Sequence, residues 1–287
     1  GDSIANADIL QLPTPLGNMP ANLSVIPEDM DMQMTMIDVM YAPNKDLTLM
    51  MMGTYVSKDM TLGTYAAMMD RNLLGTFKTS SSDLSELTFS ALRTISNMDN
   101  SKWHAEVTLQ KSLGNNDQTG LVLTPMGTEI NMILPYAMQP SDRATRLILG
   151  LNNSRKLSEK VSWTNQTRFK KVLDEKEWAL GDQLELNSWV QYQYKSSLSV
   201  STRLKFVSQK DISGSNPMIM APVQTANPEN YGGDELHIGF GANYDLSSLT
   251  SKQDVFGVEV LFPIIQNKNG LQMETKHQIV LGFNRSF

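Results

Sequence analysis

Methionine occurs at every second position in one short segment and again in the segment that follows it. Because successive side chains of a β-strand point to opposite faces, these methionines would share one face with an aspartate. The residues of this face are Met30, Met32, Met34, Met36, Asp38, Met40, Met50 and Met52. Thioether side chains are flexible and polarizable, which suits apolar molecules of varied shape. The same face could offer ligands to soft Cu(I), or the methionines could merely fill a narrow space.

Tyr41 indicates which face points inward. An aromatic side chain near the end of a strand is typical of the girdle of a membrane β-barrel, so Tyr41, Val39 and Ile37 are predicted to face lipid. The even-numbered methionines and Asp38 are then predicted to line the lumen. They form the first part of the predicted pore lining.

Charged residues on the inward faces of other predicted strands form the second part. The additional pore-lining candidates are Glu106, Arg146, Arg203, Lys205, His237, Glu259 and Lys276, with Arg168, Glu185 and Glu274 on similar faces. Mixed charge signs favour cross-strand ion pairs inside the barrel, and a selectivity constriction is the alternative. Arg203 and Lys205 are the best candidates for an electropositive patch.

The histidines give no indication of catalysis. His104, His237 and His277 fall on separate predicted strands, whereas barrel lipases and deacylases need a serine or carboxylate working with a histidine. There is no nucleophile elbow, zinc-protease motif or phosphate loop. The absence of cysteine removes thiolate metal sites and cysteine nucleophiles. We therefore expect neither an enzyme nor a bound cofactor or metal.

Alternation with a period of two recurs from about residue 30 to the end of the chain, and no amphipathic helix interrupts it. In the clearest segment Trp103, Ala105, Val107 and Leu109 alternate with polar residues. We predict eleven strands near residues 30–42, 47–56, 87–95, 103–113, 144–152, 161–169, 183–194, 198–207, 235–244, 255–262 and 272–287. The fold class is therefore all-β, an antiparallel transmembrane β-barrel.

The predicted connections alternate between short and long, as periplasmic turns and extracellular loops do in outer-membrane barrels. The short ones are 42–46, 96–102, 153–160, 195–197 and 245–254, and the long ones are 57–86, 114–142, 170–182, 208–234 and 266–271. Because single-chain bacterial barrels have an even number of strands, a twelfth strand is expected. Either Ile4 to Leu12 supplies this strand or it lies upstream of Gly1, and the polar Asp2, Asn6 and Asp8 favour the second alternative.

Composition agrees with a single domain over residues 1–287. The chain has 40% hydrophobic residues but no run of 18 apolar residues, which excludes a membrane-spanning helix. A net charge of -6 argues against nucleic acid as the main partner. The terminal Phe287, preceded by Phe283, Leu281 and Ile279 at alternate positions, resembles the signal that the barrel-assembly machinery of Gram-negative bacteria recognises, although Arg285 interrupts the series.

Residues 40–52, Met-Tyr-Ala-Pro-Asn-Lys-Asp-Leu-Thr-Leu-Met-Met-Met, resemble the first periplasmic hairpin of a known family. The family is that of the outer-membrane channels associated with the meta pathway of phenol degradation, the MetA-type barrel transporters. Segments 134–139, 227–236 and 258–263 also resemble it. Membership implies a monomeric channel of about twelve strands that passes small apolar molecules.

The sequence thus predicts a passive channel for small, hydrophobic or aromatic solutes in the outer membrane of a Gram-negative bacterium, in contact with lipid and lipopolysaccharide. Three alternatives remain at this point. They are a copper-handling barrel with a methionine-lined lumen, a barrel enzyme that acts on lipid, and a structural or adhesion barrel.

Overall fold

The computed structural model describes residues 4–15, 19–68, 71–250 and 252–286. Its strands, in chain order, are β1 Val25–Asn44, β2 Leu47–Tyr65, β3 Leu73–Met98, β4 Ser101–Ser112, β5 Thr119–Leu123, β6 Glu129–Ile133, β7 Thr145–Lys156, β8 Val161–Asp174, β9 Trp178–Ala179, β10 Gln183–Lys195, β11 Leu198–Gln209, β12 Ser213–Gly214, β13 Gly233–Asp245, β14 Gln253–Lys268 and β15 Gln278–Ser286. Two short α-helices, α1 Asn6–Ile9 and α2 Ser247–Thr250, and 3₁₀ turns at Tyr136–Met138 and Gln224–Ala226 complete the described elements. Phe287, the predicted assembly signal, lies outside the described residues.

Eleven strands form one large curled sheet in the order β1-β2-β3-β4-β7-β8-β10-β11-β13-β14-β15, and every neighbouring pair is antiparallel. The all-β antiparallel barrel architecture predicted from the alternation is confirmed. The hairpins β5–β6 and β9–β12 are separate two-stranded sheets. No helix among the described residues is long and apolar enough to cross a membrane.

Side chains on the outer face of the sheet form an apolar surface. On β4, Val107 and Leu109 are about half exposed, whereas the intervening Thr108 and Gln110 on the inner face are buried. The cross-strand partners of Val107 are Ala91 and Leu149, so the outer face continues across β3, β4 and β7. This is the arrangement expected of a barrel whose outer wall contacts lipid.

The two ends of the sheet differ. At one end, the turn end, consecutive strands are joined by tight turns such as those at residues 45–46, 99–100 and 196–197. At the other, the loop end, the connections 113–144, 175–182 and 210–232 are longer and contain β5, β6, β9 and β12. The predicted alternation of short and long connections is therefore present at these positions.

The predicted long loop at residues 57–86 is wrong. β2 and β3 continue through most of this segment and are joined by residues 66–72. The outward positions here are polar, as shown by Ser80, whose hydroxyl donates to Asp59 Oδ1 at 2.5 Å. Because most outward positions of this part of the hairpin are polar, it lacked the alternation that identified the other strands.

The suggestion that Ile4 to Leu12 forms a strand is also wrong, since this segment contains helix α1. Ile9 and Leu10 pack with Leu23 and Ile26 at the loop end. The segment thus covers the start of β1.

β1 and β15 run in the same direction, because ten successive antiparallel pairings separate them. Among the described residues, no backbone pairing joins these two strands. The last strand begins at Gln278, later than the predicted residue 272, so Lys276 precedes it. Lys276 Nζ lies 3.1 Å from Asp29 Oδ1 on β1, a side-chain ion pair between the two edges of the sheet.

Candidate functional site in the barrel interior

Lys58 on β2 identifies the inner face of the sheet. Its ammonium group donates hydrogen bonds to the carbonyl oxygens of Ala137 at 2.8 Å and Gln139 at 2.7 Å. Both acceptors belong to the connection 113–144, which folds back between the strands at the loop end. Side chains on the same face of β2 as Lys58 therefore point inward.

The methionine pattern lies on this inner face. Met32 pairs with Lys58, Met34 with Val56 and Met36 with Thr54, and cross-strand partners share a face. The register continues with Met30 opposite Met60, Asp38 opposite Met52 and Met40 opposite Met50. We call the eight methionines of this set the methionine face. It comprises Met30, Met32, Met34, Met36, Met40, Met50, Met52 and Met60.

The methionine face is open along Met32, Met34 and Met36 and packed at Met60, which is buried. Met32, Met34 and Met36 are 46–54% exposed, and Ile37, Val39 and Tyr41 lie on the opposite, outer face of β1. Because about half of each of these three methionines is exposed, their flexible thioethers have room to change rotamer.

Paired charges cover the inner face of β4 to β14. Arg168 Nη2 donates to Glu106 Oε1 at 2.9 Å, and the Thr108 hydroxyl donates to the same oxygen at 2.9 Å. Gly150 lies between Glu106 and Arg168 in the register, and a Cβ there would approach Glu106 Oε2 to 2.7 Å. The missing side chain at position 150 leaves room for the Glu106–Arg168 pair.

Arg203 and Lys205 are also paired with acidic residues. Arg203 Nη1 lies 2.9 Å from Glu259 Oε2, and Arg203 also donates to Asn187 Oδ1 at 2.7 and 2.9 Å. Lys205 Nζ lies 3.5 Å from Glu185 Oε2. The suggested electropositive patch is therefore neutralised by its neighbours.

A third group completes this wall near the loop end of β13 and β14. Glu235 contacts His237 Nε2 at 2.9 Å and Lys268 Nζ at 3.2 Å. We call the whole set the charge ladder. Its members are Glu106, Arg168, Glu185, Arg203, Lys205, Glu235, His237, Glu259 and Lys268.

Of the predicted pore-lining residues, Arg146 lies on the inner face of β7 opposite Gln110 but contacts a loop, and Lys276 precedes the last strand. Arg146 is 4% exposed and forms an ion pair with Asp142 of the connection 113–144, so it anchors a loop. Lys276 precedes β15 and pairs with Asp29, with 78% of its side chain exposed, because β15 begins only at Gln278.

The loop-end connections form a compact cap, which we define as residues 113–144, 175–182 and 210–232. Tyr136 packs edge-on against Trp178 with the ring centroids 4.9 Å apart, and its hydroxyl accepts the Asn216 N–H at 2.9 Å. Tyr136 therefore contacts all three segments of the cap. Burial within the cap raises the pKa of the Tyr136 phenol, so it stays protonated at neutral pH.

Asp142 joins two cap segments to the barrel wall. It binds Arg146 through both carboxylate oxygens and accepts the Leu180 N–H at 2.9 Å. Although burial alone raises the pKa of a carboxyl, the Arg146 guanidinium and the N–H groups of Leu180 and Ala144 hold the pKa of Asp142 below its ordinary value.

The cap was not predicted from the sequence. Its aromatic and aliphatic residues follow no strand period, since Tyr136, Trp178 and Ile219 come from three separate connections. The run Leu134 to Met138 was the available signal, because a largely apolar stretch within a loop has to be covered by something.

Among the described residues, no group of three or more histidine, aspartate or glutamate side chains is arranged to hold a metal ion.

No known protein family's sequence profile matches the chain, and a search of curated proteins finds no significant match. Solved structures do match. The NanC porin aligns over 92% of this chain and 98% of its own, with a TM-score of 0.50 and 9% identity. An outer membrane channel from Pseudomonas putida aligns over 92% of this chain and 85% of its own, with a TM-score of 0.55 and 14% identity.

The fold is that of an outer-membrane β-barrel. The similarity extends over nine-tenths of the chain and therefore includes the curled sheet as a whole. The prediction of the fold class is confirmed by these alignments together with the strand topology.

Proposed function

We propose that the protein is a passive channel in the outer membrane of a Gram-negative bacterium, and that it passes small apolar or aromatic solutes. The main support for this proposal is that the methionine face lines one side of the barrel interior and the charge ladder lines the other. Thioethers, including those of Met34 and Met52, line the inner face of β1 and β2. The inner face of the remaining strands carries paired charges such as Arg203 and Glu259. Similarity of fold to a porin and a channel supports transport over catalysis.

The ionic surface suits a channel without strong charge selectivity. Four acidic and four basic residues of the charge ladder neutralise one another, and His237 binds one of the acids. Because each charge is already paired, none is free to hold a counter-ion or an ionic solute tightly. The methionine face then offers the solute its main contact, through dispersion and burial of apolar surface.

The sequence resemblance supports a narrower proposal. Residues 40–52 resemble the first hairpin of the channels associated with the meta pathway of phenol degradation, and this segment forms the end of β1, its turn and the start of β2. Met50 and Met52 lie within it on the inner face. We therefore include small aromatic compounds among the proposed solutes.

The outer wall supports the proposed partners. Apolar outward side chains such as Val107, Phe240 and Leu281 would contact lipid and lipopolysaccharide. Recognition of Phe287 by the barrel-assembly machinery and a monomeric state follow from the resemblance and remain proposals.

Polar substitution of the methionine face tests the proposed function. We expect the triple change Met34→Asn, Met36→Asn and Met52→Asn to slow uptake of an apolar probe about tenfold, equivalent to about 1.4 kcal/mol. The three amides are hydrated and would have to be stripped of water by the solute. The measurement is the fluorescence rise of N-phenyl-1-naphthylamine in cells that express each variant.

A matched control changes Met126 and Met218, which are exposed on the cap, to Asn. This double variant should keep the rate of the unsubstituted protein. Full uptake in the triple variant, combined with loss of Cu(I) binding, would instead assign the thioethers to a soft metal. Full uptake with no change in Cu(I) binding would mean that they only fill space.

A further inference from the structure

An apolar pocket of about 50 Å³ lies beneath the cap, between the inner face of β1 to β3 and the connections 113–144 and 210–232. Its walls include Met60, Leu62, Phe77, Leu134, Met138 and Val223. We propose that this sub-cap pocket binds one small apolar molecule and passes it to the methionine face. The transfer step rests on the proposed channel function, whereas binding in the pocket does not.

The surface of the pocket is made entirely of apolar atoms. Of its two threonines, Thr124 places Oγ1 2.8 Å from Thr128 Oγ1, and the Thr79 hydroxyl is buried without a hydrogen-bond partner among the described residues. Water is poorly held in such a space, because it needs two or more polar partners. An apolar molecule loses no hydrogen bonds on binding there and gains the contacts that an empty pocket lacks.

The pocket is built into the cap by specific contacts. Gln139 donates to the Leu134 carbonyl at 2.6 Å and the Gln118 carbonyl at 3.2 Å, which holds the segment that carries Leu134 and Met138. Lys58 and Ser81 donate to carbonyls of the same segment from the barrel wall. The walls are therefore held in place by hydrogen bonds, and binding need not order them.

The pocket lies next to the methionine face, with which it shares Met60. Met60 lines the pocket and pairs across the sheet with Met30, which itself packs against the apolar core of the cap. Met32, Met34 and Met36 follow on the same face of β1 towards the turn end. Met30, Met32, Met34 and Met36 thus form a row of thioethers on the inner face of β1, beside Lys58 of β2, whose ammonium group is held by the carbonyls of Ala137 and Gln139.

Methyl NMR of [¹³C-methyl]methionine-labelled protein in micelles, equilibrated with xenon at increasing pressure, tests the pocket, because a xenon atom suits a space of about 50 Å³ whereas the apolar cavity that binds benzene holds about 150 Å³. We expect saturable shifts for Met60, Met132 and Met138, which line it, and no saturable shift for the exposed Met126. Ala221→Leu, which extends a side chain into the pocket, should weaken binding at least tenfold. Met218→Leu, on an exposed position of the same connection, should leave binding unchanged.

Unsaturable shifts of equal size at all methionines, or saturable binding that survives Ala221→Leu, would overturn the proposal. Uptake of the apolar probe in cells tests the channel function independently of binding in the pocket. Uptake without pocket binding would contradict the proposed binding site and leave the channel function supported. Pocket binding without uptake would support the binding site and contradict both the transfer step and the channel function.

Discussion

Asp142→Asn releases the cap and raises the ion conductance of the barrel in planar bilayers. The change leaves the Arg146 guanidinium buried beside a neutral amide, with only 5% of its side chain exposed. Loss of one partner of a buried pair costs about 3 to 5 kcal/mol. We expect this loss to weaken the attachment of the cap to the barrel wall, because Asp142 and Leu180 belong to the connections and Arg146 belongs to β7.

Asp182→Asn is the matched control. Asp182 is 11% exposed but pairs with Lys171 and Lys210, whose side chains are 53% and 76% exposed, and pairs with such exposed partners contribute about 0 to 1 kcal/mol. The asparagine oxygen can still accept the Val172 N–H. Its conductance should stay close to that of the unsubstituted protein. Equal conductance in the two variants would show that the Asp142–Arg146 pair does not hold the cap closed.

The same pair gives the cap a defined response to acid. The pKa of Asp142 in the folded protein is below its ordinary value, so the carboxylate stabilises the closed cap at every pH above about 4. This stabilisation is lost as the pH falls through the lowered pKa of the folded state. Conductance should therefore stay constant from neutral pH down to about 4 and rise only in stronger acid.

Val107→Arg destabilises the whole barrel by about 2 to 4 kcal/mol, the cost of a cation on the lipid face near the midplane. Val107 is 52% exposed on the outer face of β4. Urea unfolding in lipid vesicles, followed by tryptophan fluorescence, measures the change.

Glu106→Gln, at the adjacent position on the inner face, is the control. The amide oxygen can still accept from Arg168, whose side chain is 34% exposed, so the loss should be much smaller. Equal destabilisation by the two changes would mean that the assignment of inner and outer faces has slipped by one residue.

The strands could be predicted from the sequence because their side chains meet the same two environments in regular alternation. Positions that alternate between lipid and lumen, such as Val107 and Thr108, carry the period of two in their residue types. The outer half of the β2–β3 hairpin has polar residues at outward positions such as Asp59 and Ser80. The alternation is absent there, and the strands were therefore predicted to end too early.

The interior was predictable in residue type but not in pairing. Inward parity identified Arg203, Glu259 and Glu106, yet their contacts join residues 56 and 62 positions apart in the chain. Such contacts depend on the register of several successive strands. The packing of the cap could not be predicted for a different reason. The cap joins irregular segments whose sequences have no hydrophobic periodicity.

Flux of an apolar solute across an asymmetric bilayer, with lipopolysaccharide in the outer leaflet, tests whether the barrel conducts apolar solutes. A lipopolysaccharide leaflet is a poor path for benzene, so the protein has to supply the route. We predict that purified, folded protein increases benzene flux in proportion to the amount inserted, and that the Met34, Met36 and Met52 triple variant restores most of the barrier. Benzene flux that is the same with and without folded protein would contradict it.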